Sequence, residues 1–78
     1  MTLEAENRFA GILIDRFGKD IMMIPTGPER FRATVNVSVS EQFLSWVFSL
    51  GEGIRITGPE KVLVQARDML ARLTEEYR

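Results

Sequence analysis

Phe31, Ala33, Val35, Val37 and Val39 are apolar, and the residues before and between them, Arg30, Arg32, Thr34, Asn36 and Ser38, are polar. Successive side chains of an extended chain point to opposite faces, so this run predicts a strand with one dry and one wet face. No other feature constrains the fold as much. Strands of a doubly covered parallel sheet are apolar throughout, which this one is not. It belongs in an antiparallel sheet with helices on one side, and it excludes an all-helical bundle.

The other segments fit that sheet. In "TLEAE", residues 2–6, Leu3 and Ala5 alternate with Glu4 and Glu6. "DIMMIP", residues 20–25, is a short apolar run ended by Pro25 and expected at a sheet edge, because proline cannot donate to a ladder. In "GIRITGP", residues 53–59, Ile54 and Ile56 point inward and Arg55 and Thr57 outward. Three helices complete the chain. From an Asn7 N-cap, Phe9, Ala10, Leu13, Ile14 and Phe17 share one face, and Gly18 ends the helix. Ser38 or Ser40 caps the second helix, Ser38 with Glu41 matching a capping box. Phe43, Leu44, Val47, Phe48 and Leu50 form its apolar stripe, which stops at Gly51. Pro59 suits the first position of the third helix. There Val62, Leu63, Ala66, Met69, Leu70, Leu73 and Tyr77 lie on one side, with Val64 and Ala71 as a weak second strip. The order β-α-β-β-α-β-α predicts an α+β sandwich of ferredoxin-like type: a four-stranded antiparallel sheet plus an added C-terminal helix. The usual strand order places the first strand between the third and fourth.

Composition then narrows the function classes. The 78 residues make one domain with a modest core. Forty-five per cent apolar and 27% charged residues describe a globular chain. A net charge of −1 argues against a general nucleic-acid binder, which needs a basic footprint. With no cysteine and no histidine, there is no disulfide framework and no thiolate chemistry, and the commonest general base and metal ligand are missing. Asp15, Asp20 and Glu41 lack metal-like spacing and read as caps or solvated positions. "GEG" at 51–53 precedes a strand, so it reads as a helix stop and tight turn, not a phosphate loop. No cofactor and no catalytic residue are expected. No stretch reaches the roughly 18 apolar residues of a membrane span, and the first residues lack a signal-peptide pattern. The expected setting is a reducing cytoplasm without membrane contact.

Two groups of residues stand out as candidate sites. Gly11 and Ile12 lie off the main stripe of the first helix, and Trp46 lies off the centre of the second. Together they form a candidate interface: glycine permits close approach of a helix or subunit, and tryptophan is enriched among interface hot spots. The plainer alternatives are a tolerated surface glycine and a tryptophan closing the core edge. Arg30, Arg32 and Arg55 share the wet sheet face and form a candidate weak anion or ligand face. Glu4 and Glu6 on the neighbouring strand offer cross-strand ion pairs that account for these charges without a ligand.

The segment "ENRFAGILIDRFGKD", a hairpin, "FRATVNVSVSEQFLSWVFSLGEGIRITGPEKV" and a helix ending in "LTEEYR" resemble the WCX domain, the C-terminal extension of WYL-domain bacterial transcriptional regulators. The match covers nearly the whole chain. Its most specific part is Phe43, Leu44, Trp46 and Val47 followed by Gly51, Ile54 and Pro59. The resemblance implies a single WCX-like domain over residues 1–78, excised from the C-terminus of a longer regulator. It implies a regulatory and dimerisation module that contacts the WYL domain of its own or a partner subunit, with a homodimer as one outcome. DNA would be bound only by an N-terminal winged helix-turn-helix that this sequence does not contain. An ACT-like small-molecule sensor remains as an alternative. An RNA-binding domain of this fold is disfavoured, because the outward positions of the long strand carry no aromatic for base stacking. An acylphosphatase-like enzyme is disfavoured because "AENRFAG" offers no glycine-rich anion cradle beside Arg8.

Overall fold

β1 (Thr2–Glu6), β2 (Met22–Gly27), β3 (Arg30–Thr34) and β4 (Ile54–Gly58) form one antiparallel sheet in the order β2-β3-β1-β4. The computed structural model describes residues 1–19 and 21–78; Asp20, read above as the head of the second strand and as a capping carboxylate, lies outside the described residues. A 3-10 turn at Asn7–Phe9 leads into α1 (Ala10–Phe17), and α2 (Glu41–Ser49) and α3 (Glu60–Glu76) follow β3 and β4. The first strand sits between the third and fourth, and the arrangement is ferredoxin-like with a C-terminal helix, as the alternating segments predict.

One sheet face carries the core. Leu3, Ala5, Phe31, Ala33, Ile54 and Ile56 are buried on it, while Glu4, Arg30, Arg32 and Arg55 point the other way. Phe9, Leu13, Phe43, Leu44, Val47, Val62, Ala66 and Met69 cover it from the helices. Leu3 and Leu13 are fully enclosed, and burying a leucine contributes about 1.5–3 kcal/mol.

Several local expectations are corrected. The alternation continues to Val39, but the strand stops at Thr34 because its neighbour runs out. Val35 closes the ladder against Met1, its N–H donating to the Met1 carbonyl and its own carbonyl accepting from the terminal ammonium, both at 2.9 Å. Val37 and Val39 still pack against the core edge without pairing. Alternation reports which side is dry; pairing also needs a partner. Pro25 does not end β2 but sits inside it, opposite Phe31, beside a register irregularity before Gly27. An edge strand tolerates it there. Asn7 does not cap α1. Its N–H donates to Glu29 at 2.9 Å and its side chain donates to Pro28 at 3.4 Å, so it braces the β2–β3 turn instead. The capping residue of α2 is Ser40, whose Oγ accepts from the Phe43 N–H at 3.1 Å, and the Ser38–Glu41 box does not form. Pro59 stands one residue before α3 and gives its carbonyl to Val62 and Leu63.

The helix stripes are buried in part only. Ile14, Leu70, Leu73 and Tyr77 were assigned to dry faces, yet they are 39%, 46%, 43% and 87% exposed. For Leu73 and Tyr77, in the last turn of α3 and just past it, the reason is length. Its 17 residues span about 25 Å, whereas a five-residue strand covers about 17 Å. The helix outruns the sheet, and its last turns have nothing to pack on. Just before the last turn, Arg72 reaches Glu41 of α2 at 2.6 Å and Asp68 at 3.2 Å. Its guanidinium is held above its ordinary range by the hydrogen bond and charge of Glu41 and, less, by Asp68.

Candidate functional site

The sheet face turned away from the helices is the first place to look. The register sets Glu4 opposite both Arg32 and Arg55, and Glu6 opposite Arg30. The three arginines therefore do share one face, as their outward positions predict. The ion pair that forms is diagonal, Arg30 Nε to Glu4 Oε1 at 3.7 Å. Arg32 and Arg55 make no ion pair among the described residues. Their strands flank β1, so their backbones are about 10 Å apart, and the Glu4 carboxylate occupies the ground between them. An anion would have to compete with that fixed charge. Beside them on β2, Met22 and Ile24 are 60% and 51% exposed, so this face is mixed in character.

Gly11 and Ile12 come from α1 and Trp46 from α2. Trp46 is half-buried and stacks edge-on to Phe17 at 5.9 Å and tilted to Phe43 at 6.0 Å, closing the seam between α1 and α2. The Arg16 guanidinium lies 4.8 Å above its ring, a cation–π contact that still leaves the residue at the core edge. Gly11 and Ile12 lie in the N-terminal half of α1, and a methyl group at Gly11 would meet nothing within 4 Å. The close helix approach suggested for Gly11 therefore does not occur within this chain.

A clasp at the start of β4 was not foreseen. Arg8 Nε donates to Glu6 Oε1 at 2.8 Å, and Nη2 donates to the Glu52 carbonyl at 2.8 Å. The Glu6 N–H donates to the Gly53 carbonyl at 2.9 Å. Gly53 has φ +96° and lies directly beneath these side chains. The clasp ties the end of β1 to the turn that launches β4. Its signal in the sequence was faint: an acid and a base two residues apart, and a glycine far downstream.

A hollow of about 380 Å³ lies along β4, between the end of α2 and α3. Phe48, Ile56, Leu63, Ala66 and Leu70 line it, with Arg67 also contributing. Sequence reasoning missed it because Phe48, Leu63 and Leu70 read as ordinary members of apolar stripes. Only the angle between α3 and the sheet decides whether such a stripe is covered.

Among the described residues no three acidic side chains gather as metal ligands would, and no helix is long and apolar enough to cross a membrane. Comparison with curated proteins and with solved structures gave no match. A family model described as the WCX domain matches residues 2–74.

Proposed function

Since the chain belongs to the WCX domain family, we propose that it is the C-terminal regulatory and dimerisation module of a bacterial, cytoplasmic WYL-type transcriptional regulator. It acts by touching the WYL domain of its own or a partner subunit, and DNA is the business of a separate N-terminal domain. The observation that carries this reading is the uncovered apolar flank of α3. Leu70 and Leu73 stay 46% and 43% exposed, Leu70 in the lining of the hollow and Leu73 near Glu41 of α2. Single exposed apolar residues need no explanation, but adjacent ones bordering a groove mark a contact surface. The test is light scattering after size exclusion, on the chain alone and mixed with a WYL domain. Association in either case, lost in Leu70→Lys/Leu73→Lys, is the expected result. A strict monomer at millimolar concentration that also ignores the WYL domain overturns the proposal.

The ACT-like alternative draws support from the size of the hollow, which falls within the range of small-molecule sites. A rise in melting temperature with a small apolar acid, and no association with protein, would favour it.

A further inference from the structure

We propose that the free edge of β4 takes up an extended polypeptide strand in which apolar residues alternate with acidic ones. This deepens the contact-module reading and rests on it.

The backbone comes first. Glu6 and Gly53 form a hydrogen-bonded pair, with the Glu6 N–H on the Gly53 carbonyl. Such pairs alternate along an antiparallel ladder. Glu4–Arg55 is therefore the next bonded pair, and Ala5–Ile54 and Leu3–Ile56 are the non-bonded ones. It follows that the N–H and C=O groups of Ile54 and Ile56 point away from β1. β4 is the last strand of the sheet, and no turn or loop backbone group meets them among the described residues. The two sheet edges differ. β2 carries Pro25 and a register irregularity, both devices that discourage edge pairing. β4 has an irregularity of its own, at Thr57, where Ile56 and Gly58 face the adjacent Leu3 and Thr2, but it has no proline, and the stretch Ile54–Ile56 is regular.

The side chains specify the guest. On the helix side, the hollow of about 380 Å³ runs beside β4 and offers Phe48, Leu63 and Leu70 to an incoming apolar residue. On the wet side, Arg55 has no ion pair among the described residues. An acidic residue opposite it on the free side would supply the ion pair that Glu4, engaged with Arg30, does not make. β1 already shows the pattern on the other side of β4: Leu3 and Ala5 point inward, and Glu4 lies opposite Arg55. A strand added at the free edge meets the same alternation, with a deeper apolar slot.

The test uses the ¹⁵N-labelled 78-residue chain and two capped synthetic heptapeptides, one alternating Val and Glu, the other Val and Lys. Amide exchange at Ile54 and Ile56 slows on adding the Val/Glu peptide. The Val/Lys peptide binds about two- to fivefold more weakly, and Arg55→Glu inverts that preference. Leu70→Lys, at a position exposed enough to leave the fold intact, weakens binding about tenfold. Unchanged exchange at Ile54 and Ile56, or equal binding of both peptides, overturns the proposal. So does protection of this edge without peptide that grows with protein concentration, which would make a second copy the occupant. Peptide failure with association retained in light scattering sinks the strand proposal alone; loss of association sinks the contact-module reading as well.

Discussion

Replacing Gly53 by alanine isolates the clasp that sets the start of β4. The backbone there has φ +96°, where an L-residue costs about 1–2 kcal/mol. Alanine recovers about 0.4–1 kcal/mol by stiffening the unfolded chain. The side chain adds a second cost, because its methyl carbon would stand 2.6 Å from Glu6 Oε1 and 2.7 Å from Arg8 Nη2. Both tips are flexible and partly solvated, so they move, and what is lost is an exposed ion pair worth about 0.2–1 kcal/mol. The bond from Arg8 to the Glu52 carbonyl adds about 1 kcal/mol. Gly51 provides the internal control: its φ is +81°, and a methyl group there meets nothing within 4 Å. Gly51→Ala therefore carries the backbone cost alone. The expected excess of Gly53→Ala over Gly51→Ala is about 1–2 kcal/mol, read from urea denaturation, or about 4–16 °C in melting temperature. In a Glu6→Ala/Arg8→Ala background the excess disappears. Equal effects of the two alanines in the original background would show that the clasp holds nothing. An excess that survives removal of both side chains would show that they are not what crowds Gly53.

Further outcomes follow from the same geometry. Trp46→Ala lowers stability by about 2–3 kcal/mol in urea denaturation, since it opens the Phe17–Phe43 seam; changed association at unchanged stability would instead make Trp46 an interface residue. Glu4→Gln destabilises more than Arg32→Gln and Arg55→Gln together, because it removes the carboxylate set among three guanidiniums, whereas those two arginines have no ion pair among the described residues; the double arginine variant stays within about 0.5 kcal/mol of the original in thermal melts. Glu41→Gln lowers the melting temperature only slightly, and the loss shrinks as salt rises, since Arg72 and Glu41 are both largely exposed.

How much of this was legible in the sequence depends on what each signal reports. The alternation of Phe31 to Val39 and of Leu3 to Glu6 records the sidedness of the sheet, and with it came the fold, the strand order and the grouping of Arg30, Arg32 and Arg55. It could not record where β3 stops, because that is set by the length of β1, a different segment. The apolar stripe of α3 likewise names a face without saying how much sheet lies beneath it. Leu63, Leu70 and Leu73 read as core by period and proved half-covered by geometry. Trp46 was ambiguous because burial at a helix flank depends on the neighbour, here Phe17 of α1. The hollow beside β4 was invisible for a stronger reason. It is made of residues from α2, β4 and α3 that each satisfy the ordinary pattern of their own element, and a space between elements leaves no mark on any of them. In a small domain whose segments all obey local rules, uncovered apolar surface therefore arises from how the elements are matched in length and angle. Here the 17-residue α3 outruns the five-residue β4 at Leu73, and the hollow leaves Phe48, Leu63 and Leu70 beside an edge that is unpaired among the described residues.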